Sequence, residues 1–287
     1  MDIGLSLVEH EATIRFAAFA GVFALMAAWE VAAPRRALSL PKAQRWVANL
    51  GVTLLNVGLV RVLFPTATVG MALAAGERQW GLFNALAVPA PLAFVASFLA
   101  LDLVIWIQHV AFHRVPVLAR LHRMHHVDLD FDVTTGLRFH PVEIVLSLMI
   151  KFAAVLALGA PAAAVLAFEL ALNLGSLFNH GNVRMPGAVD RALRLLVVTP
   201  DMHRVHHSIV PEEINSNFGF FLSWWDRLFG TYRAAPRAGH EAITIGVRDT
   251  RDPAVCARFL PMLALPFRER ADDFPCARAA LQRPASS

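Results

Sequence analysis

The chain of 287 residues is 56% apolar and only 17% charged, with a mean hydropathy of +0.51; soluble domains carry about 25% charged residues, so an ordinary soluble protein is excluded. Its net charge of +4 includes no Lys/Arg block and no aromatic-basic interleaving, which excludes nucleic-acid binding. Cys256 and Cys276 lack CxxC spacing and are too few for a disulfide framework, so both read as free thiols.

The N-terminus opens Met-Asp-Ile-Gly and carries Glu9 and Glu11, unlike the basic start of a secretory signal, so its first apolar run reads as a retained anchor. A bilayer core of about 30 Å needs roughly 20 mostly apolar helical residues. The first such span runs from Phe16 to Ala33, interrupted by Glu30. The second, Leu50 to Ala75, contains Pro65 and Arg61, whose charge must face the bundle interior or snorkel to a surface. The third runs from Leu86 to Ile107, opened by Pro89 and Pro91. A fourth apolar region, Val142 to Phe178, is too long for one helix and is split by Gly159-Ala160-Pro161, a turn signal. Each arm of about 16 residues is roughly 24 Å long at 1.5 Å per residue, which makes the pair a helical hairpin that crosses twice or dips and returns.

Basic residues set the expected orientation. Arg35, Arg36, Lys42 and Arg45 cluster between the first two spans, so the positive-inside rule puts segment 34–47 in the cytoplasm. Counting crossings, His109 and His180 then emerge on that same side. Residues 185–232 are more polar and aromatic and read as a cytosolic cap. The expected architecture is all-α: an integral membrane bundle of three spans plus a helical hairpin, under a cytosolic histidine-rich helical cap. Residues 1–233 form one membrane domain, and 234–287 a C-terminal tail whose last twenty or so residues are poorly ordered.

Ten of the twelve histidines lie between 109 and 207. His109 and His113 make HxxxH; His122, His125 and His126 make HxxHH; His203, His206 and His207 make a second HxxHH. Residues three and four apart share a helix face with Cβ atoms about 5–6 Å apart, so two imidazoles can converge on one ion, and HxxHH can serve two neighbouring ions. His140 and His180 stand singly at the two ends of the hairpin, where they close onto the boxes as further ligands. Asp102, two turns before His109, is placed to accept a hydrogen bond from an imidazole. His10 and His240 read as solvated or capped residues. Any one box fits simple helix-surface placement; three at the ends of spans on one side point to metal.

Imidazole-rich sites suit zinc, copper, iron or nickel. This candidate set exceeds what one ion uses, so two are expected. His122-Arg-Met-His-His lacks the glutamate of HExxH, which weakens a zinc-hydrolase reading. That hydrolase, with Glu143 or Asp201 as its carboxylate, and a metal-binding or transport protein are the alternatives. The transport protein would need polar residues along the spans beyond Glu30, Arg61, Asp102 and Lys151.

These boxes, with spans before the first and a hairpin before the third, resemble the fatty acid hydroxylase/sterol desaturase superfamily. Asp102 to His113, Arg138-Phe-His-Pro-Val-Glu143, Thr199-Pro-Asp-Met-His-Arg-Val-His-His-Ser208, Asn217-Phe-Gly and Trp225-Asp-Arg-Leu-Phe-Gly-Thr-Tyr232 carry the likeness, which runs from about residue 45 to 265. One departure is Val110, where HRxxH would have arginine. The resemblance implies a di-iron oxygenase, with zinc as a possible substitute metal, that hydroxylates or desaturates a fatty acyl chain, sterol, carotenoid or ether lipid. It implies O2, a separate electron-transfer protein, and as ligands His109, His113, His122, His125, His126, His203, His206 and His207, joined by His140 and His180. Phe218, Phe220, Phe221, Trp224 and Trp225 form either a lid over the metals or an interfacial belt. The Ala/Arg-rich composition points to a bacterial inner membrane, with the boxes on the cytoplasmic side.

Overall fold

The computed structural model describes residues 10–64 and 67–268. The N-terminal Met-Asp-Ile-Gly, Pro65, Cys276 and the end of the expected tail lie outside the described residues. Among those described, the chain is helical with no strand, only three isolated bridges.

Five stretches are long and apolar enough to cross a membrane: Glu11–Ala32, Lys42–Ala85, Ala90–Arg114, Pro141–Leu158 and Ala162–Asn179. The first is α1 (Glu11–Ala32), which buries only Met26 and Glu30. Its Phe16, Leu25 and Val31 are 62–75% exposed, a fully apolar outer face that only lipid would solvate well. The second stretch is not one helix. It divides into α2 (Lys42–Leu63), α3 (Thr68–Glu77) and the short α4 (Leu82–Ala85). Arg45 and Asn49 are fully buried on α2, so a residue expected to mark the cytoplasmic loop belongs to the interior instead. Arg61, by contrast, is exposed near the end of α2.

The third stretch is α5 (Ala90–Arg114), entered after Pro89 as expected. Val115 caps it and at once opens α6 (Pro116–His126), because Pro116 fits the first turn of a helix but cannot continue the previous one. The hairpin is α7 (Pro141–Leu158) and α8 (Ala162–Asn179), joined at Gly159, whose φ of +67° is the left-handed conformation of a helix stop. A side chain at Gly159 would also collide with the Trp80 carbonyl at 2.5 Å, so glycine lets the α3–α4 turn pack against the hairpin tip. Val69 and Ala72 of α3, Leu101 and Ile105 of α5, Val155 of α7 and Val165 and Phe168 of α8 form the interior of this membrane layer.

Beyond α8 the chain makes short helices: α9 (Gly187–Leu193), α10 (Pro200–His206), α11 (Pro211–Ile214) and α12 (Trp224–Leu228). They are followed by α13 (Gly239–Ala242), α14 (Pro253–Cys256) and α15 (Phe259–Arg268). Residues 234–268 are therefore no tail. Ile243 and Ile245 pack on Phe131, and Val247, Cys256 and Leu265 pack on Val127 and Leu129, so the segment closes one side of the second histidine box. The Ala/Arg/Pro composition concealed this up to residue 258, where apolar positions are spaced by loops; the apolar helix Phe259–Arg268 follows.

Candidate metal centre

Four elements deliver histidines to one place. The last two turns of α5 carry His109 and His113, and α6 carries the first HxxHH. His180 caps the C-terminus of α8. The second HxxHH rides on α10, where the Thr199 hydroxyl accepts from the Met202 N–H at 3.3 Å and Pro200 occupies the first helical position. His207 is the first residue past that helix.

The nine histidines sort into two adjoining groups. His109, His113, His122, His126 and His206 each offer a ring nitrogen, all within 4.8 Å of one another; so do His125, His180, His203 and His207. Each HxxHH box is split between them. His122 and His126, one turn apart, go to the first group and His125 to the second; His203 and His207 go to the second and His206 to the first. The groups touch, with the His126 and His207 rings 4.6 Å apart and the His203 and His206 rings 5.1 Å apart. Every one of these imidazoles is at most 2% exposed.

The donor chemistry fits a cation. The Nδ1–H of His109 donates to the Phe218 carbonyl at 2.6 Å, that of His180 to Ser176 at 2.8 Å, and that of His206 to Ser216 at 2.7 Å. His122 Nδ1 donates to Glu143 Oε1 at 2.6 Å. A neutral ring with its proton on Nδ1 presents a bare lone pair at Nε2. His109 Nε2 and His122 Nε2 face each other at 3.1 Å with both protons turned outward, an arrangement that lacks a hydrogen and suits a shared cation. Two nitrogens bound about 2.0–2.1 Å from one ion at right angles lie about 3 Å apart. Further buried nitrogens have no protein partner, among them His206 Nε2 and both nitrogens of His207. Leaving so many polar atoms dry is costly unless something else binds them.

Burial pushes the imidazoles of His180 and His206 down to about 3. It holds His125, His126, His203 and His207 well below their ordinary range, reinforced by neighbouring histidines. The rings stay neutral, the form a metal requires.

Two expected site residues stand apart. His140 caps α7: its Nδ1 accepts from the Val142 N–H at 3.2 Å and its Nε2 lies 3.3 Å from the Leu263 carbonyl, so both nitrogens are used and it joins neither group. Asp102 touches no imidazole. Its Oδ2 accepts from Trp225 Nε1 at 2.8 Å and from the Leu222 N–H at 3.3 Å, fastening the 218–225 loop to α5. The carboxylate beside a histidine is Glu143 instead, one turn into the helix that His140 caps. Of the two lone histidines read as solvated, His10 is exposed and His240 is half-buried, 3.7 Å from Asp201.

A second buried layer supports α6. In Asp128-Leu-Asp-Phe-Asp132, Asp128 accepts two bonds from Arg45 at 2.7–2.8 Å, and Asp132 pairs with Arg45 as well. Arg138 donates to the Met124 carbonyl at 2.8 Å and to the Cys256 carbonyl at 2.5 Å, tying the second box to residues 234–268. Burial alone would raise the Asp128 carboxyl, but Arg45 and Arg138 hold it at about 2. Glu30 accepts from the Val133 and Asn182 N–H groups at 2.7 and 2.9 Å, so the charge interrupting the first span is an anchor for both cap loops. The mixed acidic spacing of 128–132 was visible in the sequence; its arginine partner, 83 residues earlier in the chain, was not.

An all-helical membrane layer that ends in two adjoining groups of buried imidazoles, with no cysteine in either, defines a membrane protein built to bind metal through histidine. Residues 94–231 match the model of the fatty acid hydroxylase family, a match that supports the fatty acid hydroxylase superfamily. It is similar to an ornithine lipid hydroxylase of Rhizobium tropici, 32% identical over 63% of this chain and 52% of that protein. Alkylglycerol monooxygenases are also similar: the Xenopus tropicalis protein is 27% identical over 67% of this chain and 42% of its own length, and the human one 32% over 55% and 34%. The matched part thus covers about half or less of each relative. No solved structure matches the chain.

Proposed function

We propose that this protein is a membrane-bound di-iron oxygenase that hydroxylates a lipid with O2 and electrons from a separate donor protein. The observation that carries the reading is the pair of adjoining histidine groups, five and four strong, at the ends of apolar helices. One ion cannot use nine imidazoles, whereas two can, and the split of each HxxHH box supports two neighbouring sites. Iron as the metal is supported by the relatives, whose names describe a hydroxylase and monooxygenases acting on lipids. Their activities also favour oxygen insertion over desaturation and a polar-headed membrane lipid as the substrate class.

Two iron ions held here would supply dioxygen activation for an unactivated C–H bond. The overall change is a C–H bond, dioxygen, two electrons and two protons giving an alcohol and water. The chain's own part is to orient and exclude. Nδ1 bonds from His109, His180 and His206 to backbone carbonyls, and from His122 to Glu143, fix the ring planes, as outer partners of metal-bound histidines do. Burial of every imidazole keeps bulk water from a reactive oxidant. Arg35 and Arg36 flank the cap and, on the positive-inside rule, face the cytoplasm of a bacterial inner membrane, where a soluble electron donor can dock. Arg35 pairs with Asp201 of the third box at 3.2 Å, so this basic edge lies beside the centre.

The test is metal content per chain in protein purified anaerobically in detergent, beside a variant with His203, His206 and His207 all changed to alanine. About two irons in the parent and a sharp fall in the variant, with lipid-dependent oxygen uptake, is the expected result. Zinc that persists against excess iron would overturn the oxygenase in favour of a hydrolase.

A further inference from the structure

We infer that Phe139 and Phe220 form an apolar gate through which a lipid hydrocarbon chain passes from the membrane layer to the histidine centre, and that this pair sets which carbon is presented. The inference rests on the lipid-oxygenase reading and concerns the route and the selectivity.

Five phenylalanines pack on the imidazoles, and they are not equivalent. Phe112, Phe131 and Phe218 are at most 1% exposed, and each serves one group only. Phe131 lies against His180 and His207, with ring centroids 5.5 and 5.0 Å away, and Phe218 against His113 and His206 at 5.2 and 5.4 Å. Phe112 meets His122 at 5.8 Å. Phe139 and Phe220 are half-buried, and each bridges the seam between the groups. Phe139 stacks on His125 at 4.4 Å and reaches His122 at 6.2 Å; Phe220 reaches His109 at 4.9 Å and His203 at 5.9 Å. The two rings lie 6.3 Å apart. A group that passed between these two rings would meet both histidine groups at once.

The far side of the gate is the membrane interior. Phe220 packs on the apolar cluster built by α3, α5, α7 and α8, and its neighbour Phe221 meets Phe98 of α5 edge-on at 5.9 Å. That continuity selects a hydrocarbon chain as the occupant, since an aromatic pair offers ring faces without the charged donors a head group needs.

The gate has a fixed frame and movable leaves. Asn56 of α2 donates to the Phe139 carbonyl at 2.9 Å, and Asn179 of α8 donates to the Phe220 carbonyl at 2.7 Å. The main chain at both positions is thereby tied to membrane helices, so opening the gate falls to a rotamer change of the two rings.

The route is tested by labelling, independently of catalysis. In a Cys256→Ser/Cys276→Ser background reconstituted in phosphatidylcholine vesicles, single F139C, F220C, F131C and F218C proteins are treated with an alkyl-chain maleimide and with a charged, membrane-impermeant thiosulfonate. Cysteine at 139 and 220 should react with the alkyl reagent at least tenfold faster than cysteine at 131 and 218, and should resist the charged one. Equal labelling at all four positions, or preferential labelling of 139 and 220 by the charged reagent, overturns the membrane route. Where a cysteine variant does not retain the parent's metal content, Phe139→Leu and Phe220→Leu carry the question. Their oxidised product should spread to carbons beside the parent's position, and an unchanged single position in both overturns the gate. A parent that binds two metals and takes up no oxygen with any lipid removes the oxygenase reading, while the labelling still decides the access route.

Discussion

At the scale of single residues, the histidines divide by what their second nitrogen does. His140 spends both nitrogens on the backbone, one capping α7 and one near Leu263. His140→Ala should therefore leave metal content per chain at the parental value, while costing about 1 kcal/mol of stability through the lost cap. A loss of one metal equivalent in that variant would return His140 to the ligand set. Glu143 is the converse case, a carboxylate outside every box that accepts from His122 Nδ1 at 2.6 Å. Glu143→Gln keeps the size but removes the charge that raises the basicity of Nε2. Metal affinity should fall about 10–100-fold in competition with a chelator. An affinity equal to the parent's would show that the contact only packs. Within RFHPVE it is Glu143 that reaches a histidine of the centre, while His140, one turn earlier, bonds only to the backbone.

At the scale of elements, each HxxHH helix is useful because it is held at a fixed rotation about its own axis. A turn of α6 by one residue would exchange which histidine serves which group. Arg45 of α2, bound by Asp128 and Asp132 directly after α6, and Arg138, bound to the α6 carbonyl of Met124, prevent that turn. Both arginines are fully buried. Arg45→Met removes the cation that Asp128 and Asp132 share and leaves Arg138, 3.6 Å from Asp128, as the nearest remaining charge partner, a loss of about 3–5 kcal/mol. The variant should unfold at clearly lower temperature and bind less metal even in excess iron. A parental unfolding midpoint would show that the pair is dispensable. The same logic explains α14 and α15: the Cys256 carbonyl accepts from Arg138, so this C-terminal segment is the far wall of the support.

At the scale of the whole molecule, the candidate metal centre gathers imidazoles from α5, α6 and α10, from His180 at the end of α8 and from His207 just past α10. Metal bound by the folded chain alone stabilises it by about 3 kcal/mol at a hundredfold excess over Kd. Stripping metal with a chelator under reducing conditions should lower the unfolding midpoint, and adding ferrous iron should restore it. The cap and the membrane layer should lose stability together, because His180 ends a membrane helix while His203, His206 and His207 belong to the cap. Unchanged unfolding after complete metal removal would count against a shared clamp. Membrane helices with exposed Phe16, Val47, Leu54 and Val62, each above 70% exposed, supply no such clamp on their own, since lipid solvates those faces as well as protein does.

The sequence by itself determined the membrane class, the hairpin turn at Gly159, the three histidine boxes and the family they resemble. All of these are local: an apolar run, a turn residue, or a spacing of three and four reads directly as a span, a stop, or a shared helix face. Only the tertiary structure decided what depends on partners distant in the chain. It divided each HxxHH box between two groups, moved Asp102 from the imidazoles to the 218–225 loop, and set Glu143 on His122. It buried Arg45 against Asp128, broke the second span into two helices and packed residues 234–268 onto the site. Spacing fixes which side chains share a helix face, but the rotation of that helix and the burial of a charge are set by long-range contacts that no local pattern encodes.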